Sequence, residues 1–145
     1  SEGKKHHAEE LGADYTVIHT DDNWVEEVKS LTFGKKIQVI FEHVGKDTWE
    51  KSMKLLDKGG RIVTCGATTG SKVHLDLKHL FIKQQNIMGS TMSDISSFIE
   101  VQKLINKKII KPFVDKIFPI KNIIEAHKYI EQRNQKGKVV LTLQC

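Results

Sequence analysis

The sequence is poor in cysteine, proline and aromatic residues, and it has no long apolar run. Two cysteines, Cys65 and Cys145, are far too few for a disulfide scaffold, and a reducing, cytoplasmic setting is expected. No apolar stretch approaches the roughly 20 residues that a membrane helix needs. Aromatic residues make up 7% of the chain and none interleaves with a cluster of basic residues, so the pattern of a nucleic-acid stripe is missing. Both prolines, Pro112 and Pro119, fall after Lys111, where the rhythm of the chain changes. The chain opens on Ser1 rather than methionine, with no leader-like segment, and this start is expected to be a cut.

What is present is an ordinary globular composition. At 145 residues with 39% hydrophobic content, the chain is long enough for one domain with its own core. The net charge of +5 comes from 23 basic and 18 acidic residues. Bases and acids alternate along the expected helices, the pattern of solvated faces. A nucleic-acid partner would rest on the charge alone, and neither nucleic acid nor membrane is expected as a partner.

Strand and helix signals alternate along the chain. A helix is expected over Lys4–Leu11, stopped by Gly12, and a short strand over Tyr15–His19. Asn23 and Glu26 are spaced as a capping box before a helix whose apolar face is Trp24, Val25, Val28 and Leu31. A strand is expected over Ile37–Phe41. A second capping box, Asp47 with Glu50, precedes a helix carrying Trp49, Met53 and Leu56, ended by Lys58 and Gly59. Strands are then expected over Arg61–Cys65 and Asn86–Ser90, with a short helix over Leu75–Phe81 between them. A longer amphipathic helix covers Ile95–Ile105. Beyond Pro112 come a strand over Phe113–Ile117, a helix capped by Asn122 and Glu125, and a final strand over Lys138–Leu143. This order predicts an α/β fold with a parallel sheet. Ligands of such sheets sit at the carboxyl ends of the strands, which directs attention to His19, to His43–Gly45, to Gly66–Gly70 and to Ser90–Met92.

The segment GGRIVTCGATTG, Gly59–Gly70, is the most conspicuous of these ends. It has neither the G-x-G-x-x-G spacing of a dinucleotide fingerprint nor the lysine of a P-loop. It reads as a strand-exit turn rich in small residues. Cys65 is expected to behave as a small buried hydrophobe at the end of its strand rather than as a nucleophile. The seven histidines lack the spacing of a zinc site, and each reads as a solvated or structural residue.

Five motifs in order carry a resemblance. They are Leu11-Gly12-Ala13-Asp14, the strand ending Phe41-Glu42-His43-Val44-Gly45, the GGRIVTCGATTG segment, Gly89-Ser90-Thr91, and the terminal Gly137–Leu143. Together they resemble the carboxyl-terminal part of a medium-chain dehydrogenase/reductase, the superfamily of zinc alcohol dehydrogenases and quinone oxidoreductases. The resemblance implies a partial Rossmann-type, doubly wound parallel sheet over residues 1–111, lacking its first two strands. It implies a return segment of the catalytic domain over residues 112–145.

It also implies NADP or NAD as cofactor, with zinc only in an amino-terminal domain that these residues do not include. By the same resemblance, Val44 and Gly45 pack on the adenosine half. Cys65, Gly66 and Ala67 meet the nicotinamide carboxamide, and Ser90 and Met92 make a second backbone contact to it. Lys138 reaches the pyrophosphate, and Lys4 lies beside the adenosine ribose; Ser1 and Lys4 lean toward a phosphorylated ribose. The implied parent enzyme moves hydride between the nicotinamide and a small alcohol, aldehyde, ketone or quinone, and the 145 residues alone are expected not to turn over. A homodimer joined through Asn86–Ser90 is expected.

Without the first two strands, the Ile37–Phe41 strand is expected to present an open edge. Either Tyr15–His19 slides in beside it or a second chain covers it. A different class of function, a non-catalytic parallel-sheet module that binds a nucleotide or a protein partner, fits the same pattern of elements.

Overall fold

The structure, a computed structural model, describes residues 2–143; Ser1 and Cys145 lie outside the described residues. The chain divides into two compact units, one running through Met92 and the other beginning at Ser93.

The first unit starts with two helices, α1 (Glu2–Glu10) and α2 (Trp24–Leu31). Three strands follow: β1 (Ile37–Glu42), β2 (Leu56–Thr64) and β3 (Asn86–Gly89). Helix α3 (Lys46–Leu55) connects β1 to β2, and the short α4 (Leu77–Ile82) lies in the connection from β2 to β3. The sheet order is β1-β2-β3 and both pairings are parallel. Parallel neighbours need a crossover long enough to bring the chain back to the starting end of the sheet, and α3 supplies it.

The core lies between α3 and one face of the sheet. Trp49 and Met53, one helical turn apart, cover Leu56 and Ile62, with Ile40, Leu75 and Leu80 around them. Leu56 and Ile62 are fully buried, which is worth about 1.5–3 kcal/mol for each side chain. Neighbouring residues alternate between faces, so Val39 and Phe41 point the other way and remain 52% and 67% exposed. The doubly wound expectation is therefore realised on one face among the described residues.

Three local expectations are corrected. Tyr15–His19 is not a strand. A strand is defined by a hydrogen-bonded neighbour, and β1 takes none on its outer side. The Tyr15–His19 stretch instead runs beside α1, with Thr16 donating to Glu9 at 2.6 Å.

Helix α3 ends at Leu55 rather than at Lys58-Gly59, because Leu56 is already extended. The Asp57–Gly60 residues form an irregular excursion inside β2, between the pairs Ile37–Leu56 and Val39–Arg61. Gly59, at φ +72°, makes its turn.

None of the three capping boxes forms. Asn23 stands in near-helical geometry (φ −92°, ψ 8°) and makes no side-chain cap. Asp47 lies inside α3, whose cap position is Gly45. Asn122 bonds the Glu125 side chain instead of a backbone amide. The working caps are Asp76 and Asp94, which accept from the His79 and Ser97 amides at 3.1 and 2.7 Å. Their backbones are extended, the geometry that turns a short side chain back onto the helix end.

The second unit contains α5 (Ile95–Asn106), β4 (Val114–Pro119), a 3-10 turn (Ile120–Asn122), α6 (Ile123–Glu131) and β5 (Lys138–Thr142). Strands β4 and β5 pair in parallel. Phe118 and Ala126 are buried, and Phe118 meets the Tyr129 ring at 6.0 Å. The Lys116 ammonium stands 5.0 and 4.9 Å from these two rings. The Tyr129 hydroxyl donates to Asp115 at 2.9 Å, and this bond to a carboxylate holds its proton above the ordinary tyrosine range.

Candidate functional site at the strand ends

A parallel sheet delivers the carboxyl ends of all its strands to one side, and here the register makes them level. Glu42 pairs with Thr64, and Thr64 pairs with Gly89. The chain leaves β1 through His43–Gly45, β2 through Cys65–Gly70 and β3 through Ser90–Met92. These exits adjoin one another. Cys65 N–H donates to the Glu42 carbonyl at 3.1 Å, and Ser90 N–H donates to the Thr64 carbonyl at 2.9 Å.

Glu42 anchors the first exit. Its side chain is 4% exposed. Oε1 accepts from Val44 N–H at 2.7 Å and Gly45 N–H at 3.1 Å. The Thr48 hydroxyl lies 3.0 Å from both oxygens, and the Ser52 hydroxyl is 3.1 Å from Oε2. Burial pushes this carboxyl up, but the Gly45 and Val44 amides and the two hydroxyls together outweigh it, and the net shift is downward. The carboxylate also faces the positive end of the α3 dipole.

The second exit is clasped to the first. Val44 C=O accepts from Thr69 N–H at 2.8 Å and from the Thr69 hydroxyl at 2.9 Å. Lys46 N–H donates to Gly70 C=O at 3.1 Å, and Asp47 N–H to the Thr69 hydroxyl at 3.1 Å. Gly45 sits at φ +95°, where a Cβ would stand 2.6 Å from the Gly70 carbonyl oxygen. Only glycine allows this approach.

The amino end of α3 is therefore satisfied internally. The amides of Val44 and Gly45 go to Glu42, those of Lys46 and Asp47 to the Gly66–Gly70 loop, and that of Thr48 to Gly45 C=O. No orphan donors remain there to cradle a phosphate. Donors left over lie elsewhere: the Gly66 and Ala67 amides, like those of His43, Thr91 and Met92, have no hydrogen-bond partner among the described residues.

The structure thus brings Val44, Gly45, Cys65, Gly66, Ala67 and Ser90 to one sheet end. Val44 is half-buried, with its amide committed to Glu42. Cys65 is exposed, which corrects the expectation of a buried thiol; β2 ends one residue earlier, at Thr64. Met92 is exposed, at φ +40°. Lys4, on α1, lines a cleft of about 190 Å³ with Lys5, Thr16, His19 and Thr20. Lys138 opens β5 in the second unit. A separate cleft of about 220 Å³, lined by Met53, Lys54, His74, Leu75 and His79 among others, includes none of the strand-exit residues.

Sequence reasoning missed the part played by Glu42. A signal for it exists: an acid closes the apolar run IQVIFE, and hydroxyls follow at Thr48 and Ser52, one helical turn apart. No group of three or more histidine, cysteine, aspartate or glutamate side chains among the described residues is arranged to hold a metal ion. No helix among them is long and apolar enough to cross a membrane.

Comparison with known proteins gives a consistent picture. Residues 1–107 match the family model described as zinc-binding dehydrogenase. Quinone oxidoreductase 1 of Escherichia coli (strain K12) is 28% identical over 95% of this chain and 46% of its own length. A crystal structure of an NAD-dependent alcohol dehydrogenase superposes with a TM-score of 0.86 at 36% identity, covering 99% of this chain and 42% of that one. A variant of the crotonyl-CoA carboxylase/reductase AntE in complex with NADP superposes with a TM-score of 0.85 at 25% identity, covering 98% and 42%. The chain spans less than half the length of each of these three proteins.

Proposed function

Because the chain belongs to the zinc-binding dehydrogenase family, within the medium-chain dehydrogenases/reductases, we propose that its strand ends hold the dinucleotide of an NAD(P)-dependent oxidoreductase. The proposed activity is hydride transfer between the nicotinamide and a small alcohol, aldehyde, ketone or quinone. It belongs to the whole protein in which these residues work; the 145 residues alone are expected not to turn over.

One observation carries the reading. Three level strand exits meet at one sheet end, and the amide donors left without partners there include those of Gly66 and Ala67, side by side after the second strand. Their position and small size fit a carboxamide oxygen that must come close to backbone. In this proposal Cys65, Gly66 and Ala67 line the nicotinamide side, and the backbone of Ser90 and Met92 makes the second contact. Val44 packs on the adenosine half through its side chain, since its amide is held by Glu42, and Gly45 serves by letting the two loops meet. Lys4 lies beside the adenosine ribose, where an ammonium favours a phosphorylated ribose. Lys138 reaches toward the pyrophosphate.

When bound, the dinucleotide supplies the redox chemistry, while these residues bind and orient it. Residues 1–111 are proposed as the dinucleotide-binding part and 112–145 as the segment returning to a catalytic domain, in a cytoplasmic protein. Strand β3 ends the sheet order, and its Ile87 and Met88 are 36% and 40% exposed. That edge supports the proposed homodimer, which sedimentation equilibrium over a concentration series tests.

The direct test of function is fluorescence titration of the protein with NADPH and NADH. Saturable binding is expected, tighter for NADPH, with the preference reduced in Lys4→Ala. Absence of binding to either dinucleotide at millimolar concentration would sink the proposal.

A further inference from the structure

Glu42 is the only buried carboxylate among the described residues, and no lysine, arginine or histidine forms an ion pair with it. Its charge is met by donors alone: two amides of the β1 exit and two hydroxyls of α3. Such an arrangement fixes the direction in which the chain leaves the strand. The fixed exit then fixes a second loop. Val44 C=O receives both the amide and the hydroxyl of Thr69, Lys46 N–H holds Gly70 C=O, and Gly45 touches the Gly70 and Ala67 backbone with no room for a methyl group. A shift of Val44 and Gly45 therefore displaces Ala67, Thr69 and Gly70, which share their loop with the free Gly66 and Ala67 amides.

We propose that Glu42 is a positioning residue for dinucleotide binding: its carboxylate orients the His43–Lys46 exit and, through the Thr69 and Gly70 clasp, sets the direction of the unpaired Gly66 and Ala67 amides. This rests on the reading of the strand ends as a dinucleotide site. The side chain itself is covered and acts through backbone that it never shares with the ligand. Glutamine retains the shape but replaces one acceptor oxygen with a donor, in a cavity that already holds four donors. Alanine leaves the Val44 and Gly45 amides buried without partners.

Two measurements on the protein test the proposal separately: NADPH affinity, and amide hydrogen exchange at Cys65, Thr69 and Gly70. For Glu42→Ala, exchange at Thr69 and Gly70 is expected to rise about tenfold, with amides of the β2–β3 pairing changing less than about twofold, and the NADPH Kd is expected to rise about tenfold. For Glu42→Gln the Kd is expected to rise about threefold. Should Glu42→Ala not fold, the pair Thr48→Val with Ser52→Ala removes the hydroxyls while leaving the carboxylate on both amides, and an effect between wild type and Glu42→Gln is expected.

Exchange at Thr69 and Gly70 that ignores Glu42 overturns the positioning role. So does exchange that rises uniformly over all three strands, which is what loss of a merely structural core residue gives. Wild-type protein that binds neither NADPH nor NADH overturns the functional reading instead, while the exchange result still decides whether Glu42 governs the second loop.

Discussion

The chain uses the parallel strand-helix-strand device twice, and the two copies turn from strand to helix by different means. In β1-α3-β2 the turn contains the buried Glu42, and the loop after β2 is bonded onto it through Thr69 and Gly70. In β4-α6-β5 the turn is Pro119 followed by one 3-10 turn over Ile120–Asn122. Asp115 there accepts the Tyr129 hydroxyl and the Lys136 amide, tying the end of α6 to the start of β4. The first copy thus spends its polar groups at the carboxyl end of its sheet, the second at the amino end. The order strand, helix, strand is the same in both. What differs is which end is made rigid, and a rigid carboxyl end is what a ligand site on a parallel sheet requires.

Perturbing the first copy and its surroundings breaks or sharpens this contrast. The largest effect is expected from the core of the first. Trp49→Ala removes the ring that covers Leu56 and Ile62 and should lower unfolding free energy by about 3–5 kcal/mol, measured by urea denaturation with tryptophan-independent circular dichroism.

Next comes Gly45→Ala. The new methyl meets the Gly70 carbonyl at 2.6 Å in a backbone that disfavours side chains, and a loss of about 2–4 kcal/mol is expected. The same denaturation assay reads it. A cost near zero would mean that the clasp between the two loops is not held in solution.

The third test is pH. The folded form holds the Glu42 proton less tightly than the unfolded chain. Its network therefore contributes stability that is full above the ordinary carboxylate range and is lost as pH falls through the lower folded value. Urea midpoints measured from about pH 5 down to about pH 3 should fall, and the fall should be shallower in Glu42→Gln.

A smaller effect is expected at Asp76→Ala, which removes the acceptor for the His79 amide and should cost about 1 kcal/mol. The smallest is at Glu26→Ala. This breaks an exposed pair with Lys29, with an expected change of about 0.3–0.5 kcal/mol that disappears at high salt.

Much of this architecture was legible in the residues. The apolar runs Ile37–Phe41 and Arg61–Cys65 and the turn-spaced Trp49 and Met53 announce strands and a covering helix. The small residues of GATTG mark the exit of the second strand. Other features were not legible for definite reasons. Tyr15–His19 has the composition of a strand, but composition supplies no neighbour to bond, and none is present on that side of β1. The spacing of Asn23 with Glu26 and of Asn122 with Glu125 satisfies a capping pattern, yet a cap needs extended backbone at the cap residue, which only Asp76 and Asp94 have among the four. Cys65 looked buried because its run is apolar. It is exposed because pairing stops at Thr64.

Most of the order and type of the elements, and the expectation of a parallel sheet, follow from local pattern, since periodicity and turn chemistry act over a few residues. Which amides at the strand ends stay free does not. Val44 and Gly66 carry equivalent backbone groups, yet the Val44 amide is taken by Glu42, two residues away and itself held by the Thr48 and Ser52 hydroxyls of α3, the Val44 carbonyl is taken by Thr69 from the next strand exit, and the Gly66 amide is left open. Hydrogen-bond donors are allotted by position in space, and that allocation exists only once the strands have paired.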